Sequence, residues 1–393
     1  MSAETIESPA TAHPVKVSRG TLADGREILF FDDSQPYLSG EKTREIKDER
    51  PLGPRELPPY EAAAVRVDPL TGDSVALAAH RMNRTFLPPA DEDPLAPAGV
   101  GTVPSEIPEA DYDVVVFENR FPSLQGPLEI LRDEPLFKET TPGGRCEVVS
   151  FTPNRQGSFA ELGFKRARTV IEAWTHRTRE LSAREGIRQV FPFENRGEEI
   201  GVTLHHPHGQ IYAYPYLPPY TAAVATRAKE WATSGAGDDL LGDVLAAELE
   251  AGERIVRETE HWVAYVPFAA KWPVELMVMP RRAARDFTEL TDAEKDDLTH
   301  LYLDLLGRLD RFFDEVDRLP YISAWHQAPV SGGENISRMY LHVFSLLRSP
   351  GKLKYLAGSE SAMAAWVSDT TPERIAARFR QIAPTPRPEG GLS

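Results

Sequence analysis

The chain has 393 residues, 41% hydrophobic and 26% charged, with a formal net charge of −16 and a single cysteine, Cys146. It reads as a soluble globular protein long enough for two domains, and no apolar run approaches the roughly 18 residues of a membrane span. The acidic balance excludes general nucleic-acid binding, which needs basic surface to neutralise phosphates, and one cysteine excludes an internal disulfide or a thiolate zinc cage.

The opening residues, MSAETIESPATAHPVK, lack a basic segment followed by an apolar one. Residues 1–18 therefore read as a flexible leader and not as a secretory signal, which implies a cytoplasmic location. Proline-rich stretches such as ERPLGPRELPPY and LPPADEDPLAPAGVGTVPSEIP predict loops with short extended pieces. Between them, residues 61–81 read as a hairpin, because two apolar runs flank the turn DPLTGD. Next, YDVVVFENRFP and RCEVVSFTP are β-branched runs closed by turn residues and predict strands. Apolar positions Leu162, Ala167, Val170, Ile171, Trp174 and Leu181 recur at helical spacing and predict a helix over 159–184. The segments QVFPFEN and GQIYAYP add two more strands.

The second half repeats this series. HWVAYVPFAAKWP, VELMVMPRRAARDFTEL, a helix near 292–315, YISAWHQAP and MYLHVFSLL follow in the same order, and FAEL at 159–162 matches FTEL at 287–290. A duplicated unit is the simplest account, each copy an antiparallel sheet with a helix laid on one face. The fold class is thus α+β, with domains over 19–217 and 218–393.

The copies differ where HHPHGQIYAYP, residues 205–215, packs three of the ten histidines into four positions. Side chains on a strand alternate faces, which puts His206, His208 and Gln210 on one side and His205 on the other. Gly209 would let the backbone approach a ligand closely. Three readings compete for this row. A metal site is opposed by Gln210, since an amide is a poor transition-metal ligand. Histidines satisfied at a sheet edge would need no further role, but their clustering beside a glycine argues against coincidence. Nucleophilic catalysis fits best: an imidazole can attack phosphorus and form an N–P bond labile enough to pass the group onward. Gln210 would then be a neutral donor to a phosphate oxygen in the charged transition state.

HPHGQ at 206–210 resembles the signature of the galactose-1-phosphate uridylyltransferase family, the nucleotidyl-transferring branch of the histidine-triad superfamily. The likeness extends through DPLTG at 68–72, HRMNRTF at 80–86, VVVFENRFP, FENRGEEIG at 193–201 and GKLKYLAGSES at 351–361, over roughly residues 20–385. It implies histidine-triad-like halves with the first catalytic, and uridylyl transfer from UDP-glucose to galactose 1-phosphate through a uridylyl-histidine, without a membrane or nucleic-acid partner. By this resemblance His208 is the nucleophile, His206 orients it, Gln210 binds the transferred phosphate, and Thr203 supplies a hydroxyl near the phosphates. Glu194 and Asn195 stand beside the active strand. Arg81 and Arg84 fall in a uridine-binding arginine segment, Asn119 matches a nucleotide contact, and Lys354 and Glu360 match residues that hold the sugar. A homodimer is implied as well.

Departures from the family pattern shape the rest. Arg120 replaces an acidic neighbour of Asn119, and Trp366 falls near a sugar-binding glutamine, so the acceptor could be another sugar 1-phosphate. Asp93 and Ala96 occupy the positions of paired zinc cysteines and Asp133 that of a ligand histidine, so no zinc site is expected there. At a second metal site Val224 takes a glutamate's place, leaving His326 and His342 as remnants. A catalytically inactive nucleotide-binding relative is opposed by the retention of His206, His208 and Gln210. A hydrolase is opposed by Gln210, because hydrolases of the superfamily usually carry histidine there.

Overall fold

The β-branched runs become buried strands. In the computed structural model, which describes residues 5–7, 13–50, 63–79 and 88–384, the first half supplies β1 (Lys16–Thr21), β2 (Glu27–Asp32), β3 (Val114–Glu118), β4 (Gly144–Ser150), α1 (Gly163–Ser182), β5 (Gln189–Arg196) and β6 (His208–Tyr214). The second half supplies α2 (Pro219–Ser234), α3 (Leu240–Ala251), β7 (Ile255–Glu258), β8 (Trp262–Tyr265), β9 (Val274–Pro280), α4 (Asp292–Asp310), β10 (Tyr321–His326) and β11 (Tyr340–Ser345).

These strands lie in one sheet in the order β1-β2-β3-β4-β6-β5-β10-β11-β9-β8-β7, and every neighbouring pair is antiparallel. Outward from the β5–β10 seam the order is a palindrome: β6 corresponds to β11, β4 to β9, β3 to β8 and β2 to β7. The α+β class and the duplicated unit are therefore visible in the topology. The seam pairs Phe193 with Ala324 and Glu194 with Ser323, so the halves share a sheet. The expected boundary at 217/218 falls in the chain between β6 and α2.

One sheet face carries α1 and α4 side by side. Ile211 and Ala213 of β6, Val190 of β5 and Val149 of β4 join Val170, Ile171 and Trp174 of α1 in a single core. Trp174 lies between the halves, 5.8 Å from the Phe159 ring and within 5.6 and 6.0 Å of Phe287 and Trp325. Buried charges between the helices are paired, as burial demands. Arg168 Nε donates to Asp296 at 2.7 Å, and Lys295 Nζ to Glu172 at 3.1 Å. Arg177 holds α1 to the sheet through both oxygens of Glu147, at 2.9 and 2.8 Å.

Several boundaries differ from the sequence reading. The expected leader over 1–18 is partly structured: β1 begins at Lys16, and buried His13 places Nε2 2.9 Å from the Thr169 hydroxyl. The long helix starts at Gly163 because Phe159–Glu161 first forms a 3₁₀ turn, and its counterpart ends at Asp310. The hairpin at Ala63–Val67 and Ser74–Ala78 belongs to a separate four-stranded sheet with Ile130–Asp133 and Lys138–Thr140. Helices α2 and α3 have no counterpart in the sequence reading.

Glu194 sits at the seam, buried, with the Tyr321 hydroxyl donating to it at 3.0 Å. Burial pushes its carboxyl up from the ordinary value to about 7, and Arg196 and Tyr321 offset this only in part. The native state then binds a proton more tightly than the unfolded chain. The resulting stability is fully present below the ordinary carboxyl value and is lost as pH rises through about 7. Glu194→Gln removes this dependence. Urea unfolding should show the variant gaining on the parent between pH 4.5 and 8 by on the order of 3 kcal/mol; a difference that stays constant with pH would contradict a raised carboxyl.

Candidate active site

The ladder around β6 positions the central residues. Ser150 of β4 lies opposite His208, Val148 opposite Gln210, and Phe193 of β5 flanks Gln210 on the other side. Because Ile211 and Ala213 face the helix-covered core, alternation turns His208, Gln210 and Tyr212 to the opposite face. The chain returns from β5 through Gly197 (φ 104°) and Gly201 (φ 79°). At Gly197 a Cβ would also meet Pro320 Cβ at 2.6 Å, so the turn requires glycine on two grounds.

Gly209 has a different role from the one expected. Its absent side chain would point into the core, 2.7 Å from Phe151 Cζ and 2.9 Å from the Phe193 carbonyl oxygen. The glycine allows β6 to lie close to β5 and Phe151; it does not open the backbone to a ligand.

His206 falls on the His208 side as expected: the ladder continues through Pro207, whose carbonyl oxygen accepts from the Phe151 N–H at 3.2 Å, and the His206 ring lies beside Ser150, the residue opposite His208. The His206 ring is buried away from solvent: Nδ1 lies 2.7 Å from Asp93 Oδ2 and Nε2 2.6 Å from the Thr152 carbonyl oxygen, with the Tyr112 and Ser150 hydroxyls at 3.2 and 3.3 Å. His205 is exposed, its Nε2 3.6 Å from Glu198.

His208 Nδ1 lies 2.7 Å from the carbonyl oxygen of His206. A carbonyl can only accept, so Nδ1 carries the hydrogen and Nε2 keeps the lone pair. Burial holds the imidazole below its ordinary pKa, and although the His206 carbonyl pulls the other way, the neutral ring prevails. This is the protonation state a nucleophile needs.

Two cavities meet at His208. The first, about 240 Å³, has aromatic walls from Phe117, Phe193 and Tyr212, and its polar lining includes Asn119, Asn195, Thr203 and Gln210. Arg120 and Glu106 also border it, 3.6 Å apart. The second, about 300 Å³, is bordered by Asn195, Glu194, Arg196, His205 and Arg318 at the end of the sheet. The structure thus brings His208, Gln210, Asn119, Asn195 and Thr203 to one cavity, with Glu194 at the next. Sequence reasoning missed the aromatic walls and Glu106; the alternation in FPFEN and QIYAY was a usable signal for the former.

Other candidates lie elsewhere. Arg81 and Arg84 fall outside the described residues. Lys354 and Glu360 do not border a cavity that contains His208; buried Lys354 bonds the Val367 carbonyl oxygen and lies 3.4 Å from Glu360 in the segment that follows β11. His326 is enclosed by Tyr220 and Tyr340, ring centroids 4.7 and 4.8 Å away, and burial drives it down to about 3. His342 bonds Glu275 at 2.9 Å, its ring 6.2 Å from that of His326. No group of three or more His, Cys, Asp or Glu side chains placed to hold a metal ion occurs among the described residues. The donors implied for zinc do not fit one: Asp93 is spent on His206, Ala96 has no donor, and Asp133 lies in the separate sheet opposite Lys138.

Comparison with known proteins follows this geometry. Residues 55–218 match the model of the galactose-1-phosphate uridyl transferase N-terminal domain, and residues 225–386 that of the C-terminal domain. A galactose-1-phosphate uridylyltransferase of Streptomyces lividans is 42% identical over 94% of this chain and 98% of its own. One of Thermotoga maritima is 33% identical over 81% of this chain and 98% of its own. Among solved structures, a uridylyltransferase superposes with a TM-score of 0.70 at 29% identity, covering 81% of this chain and 97% of that one. The chain belongs to the galactose-1-phosphate uridylyltransferase family.

Proposed function

We propose that this enzyme transfers a uridylyl group from UDP-glucose to galactose 1-phosphate through a covalent intermediate on His208. Family membership supports the nucleotidyl transfer. The observation that carries the assignment to His208 is its Nδ1–H···O=C bond at the junction of two cavities, which leaves the Nε2 lone pair for attack. In the first step Nε2 forms a bond to the α-phosphorus, and the phosphorus–oxygen bond to glucose 1-phosphate breaks with the electron pair leaving on oxygen. In the second, a phosphate oxygen of galactose 1-phosphate attacks the same phosphorus, the N–P bond breaks, and the imidazole recovers its lone pair.

The aromatic cavity suits the uracil and ribose, with Asn119, Asn195 and Thr203 as polar contacts. Gln210, two residues along β6 on the same face, donates to a phosphate oxygen. The second cavity takes the sugar phosphate. Arg120 beside Glu106 makes the nucleoside end differ from the family pattern, and Trp366, packed against Trp272 at 5.0 Å, leaves another sugar 1-phosphate as the rival acceptor.

A homodimer completes the reading. Within one chain Lys354 and Glu360 do not border the His208 cavities, and exposed Tyr355, Met363 and Val367 beside them offer apolar surface for a second copy. Sedimentation should show a dimer at micromolar concentration; a monomer would remove this part. Among the described residues no helix is long and apolar enough to cross a membrane. We place the enzyme in the cytoplasm, and recovery from membranes on fractionation would count against that.

Two variants test the chemistry. UDP-glucose labelled at the α-phosphate should give an acid-labile, base-stable label on the native protein, discharged by galactose 1-phosphate. His208→Asn should lose both label and transfer while unfolding at a similar temperature; retained labelling would place the nucleophile elsewhere. Gln210→Ala should slow transfer about a hundredfold, the usual effect of removing one donor to a charged transition state, while UDP-glucose binding is largely kept.

A further inference from the structure

We infer that Asp93 and His206 form a metal-independent, hydrogen-bonded clamp, which fixes the backbone carbonyl that orients His208. This rests on the reading of His208 as nucleophile. His206 borders the second cavity, but both of its ring nitrogens are engaged within the protein, and the two residues act as positioning residues.

Hydrogen bonds occupy both ring nitrogens. Thr152 presents a backbone carbonyl to His206 Nε2 at 2.6 Å, and a carbonyl cannot donate. Nε2 must therefore carry a hydrogen. Asp93 Oδ2 lies 2.7 Å from Nδ1, while the Leu95 N–H donates to Oδ1 at 3.0 Å. Carboxyl oxygen and Nδ1 share one proton at this distance, so Nδ1 is committed to Asp93 whichever atom holds it. Burial alone would raise the Asp93 carboxyl, but the His206 hydrogen bond holds it below the usual range. The side chains of the pair are 0% and 3% exposed, and polar groups so enclosed are tolerable only when hydrogen-bonded.

With both nitrogens engaged in hydrogen bonds, His206 has no free lone pair for a metal. Its ring instead anchors the residue whose carbonyl accepts from His208 Nδ1. The intervening Pro207 has a restricted φ, and its own carbonyl accepts from the Phe151 N–H at 3.2 Å. The segment is thus held by the ring, the proline and the ladder, and the imidazole of His208 inherits that rigidity.

The test combines turnover with measurements that do not need it. With ¹⁵N-labelled histidine, the native protein should show both ring nitrogens of His206 hydrogen-bonded, the Nδ1 signal moving in Asp93→Asn, and only one nitrogen of His208 protonated. Metal analysis should find no stoichiometric zinc or iron, and a strong chelator should leave labelling by UDP-glucose unchanged. Asp93→Asn should form the labelled intermediate about 10- to 100-fold more slowly, as when an orienting partner of a functional histidine is removed, with UDP-glucose affinity within about twofold. A His206 ring nitrogen free of hydrogen bonds, a bound metal whose removal stops labelling, or an Asp93→Asn enzyme of native rate would each overturn the clamp. If Asp93→Asn does not fold, the nitrogen spectrum and metal analysis of the native protein still decide. Absence of label on the native protein would instead strike at the reading of His208, while the spectrum independently decides the Asp93–His206 hydrogen bond.

Discussion

The proposed chemistry depends on one hydrogen bond, from His208 Nδ1 to the carbonyl oxygen of His206 at 2.7 Å. An imidazole in water exchanges tautomers and gains a proton near neutral pH. Here one nitrogen is committed to an acceptor that cannot reciprocate, and burial disfavours the charged ring. The remaining nitrogen therefore keeps its lone pair by geometry, the state the proposed nucleophile needs before substrate arrives. Much of the surrounding structure serves this alignment: the ladder to β4 and β5 holds the His208 backbone, and Gly209 lets those strands close up.

The palindromic sheet explains why only one half carries this site. The two halves have corresponding strands, yet on the face away from α1 and α4 they are covered differently. In the second half α2 and α3 lie over that face, and Ala228, Leu241 and Leu245 pack with Val263, Tyr265 and Tyr340. His326 packs half-buried among aromatic rings there, and the desolvation depresses its pKa. In the first half, loop residues Leu95, Ile107 and Tyr112 cover β2 and β3 but leave the surface over His208 and Gln210 as a cavity. Duplication supplied the scaffold, and unequal covering separated a reactive face from a structural one.

Local chemistry was legible in the sequence and long-range pairing was not. The strand alternation of QIYAYP places His208 and Gln210 on one face without any knowledge of the fold, and the repeated order of FAEL and FTEL with their flanking strands exposes the duplication. The same alternation put His206 on that side, where it meets Ser150, but could not show that its ring is enclosed there. Asp93 could not be recognised as a partner of His206 across 113 residues; within its own segment it reads only as a cysteine position lacking its cysteine. Lys354 and Glu360 matched by local motif, but a motif says nothing of which cavity, or which copy of the chain, a segment faces.

The acidity of the chain sharpens the role of Gln210. A protein with a net charge of −16 repels phosphorylated sugars at long range, so the groups that hold the α-phosphate must act at short range. Neutral donors meet that need without adding a titrating site. In the proposed reaction, a third imidazole at position 210 could exchange a proton with the leaving group or with water, and activated water would discharge the N–P bond to no acceptor. An amide can hold a phosphate oxygen through the transition state but cannot relay a proton. On that proposal, a fixed neutral imidazole paired with an amide two residues along the same strand favours passing the nucleotide to an incoming phosphate over releasing it to solvent.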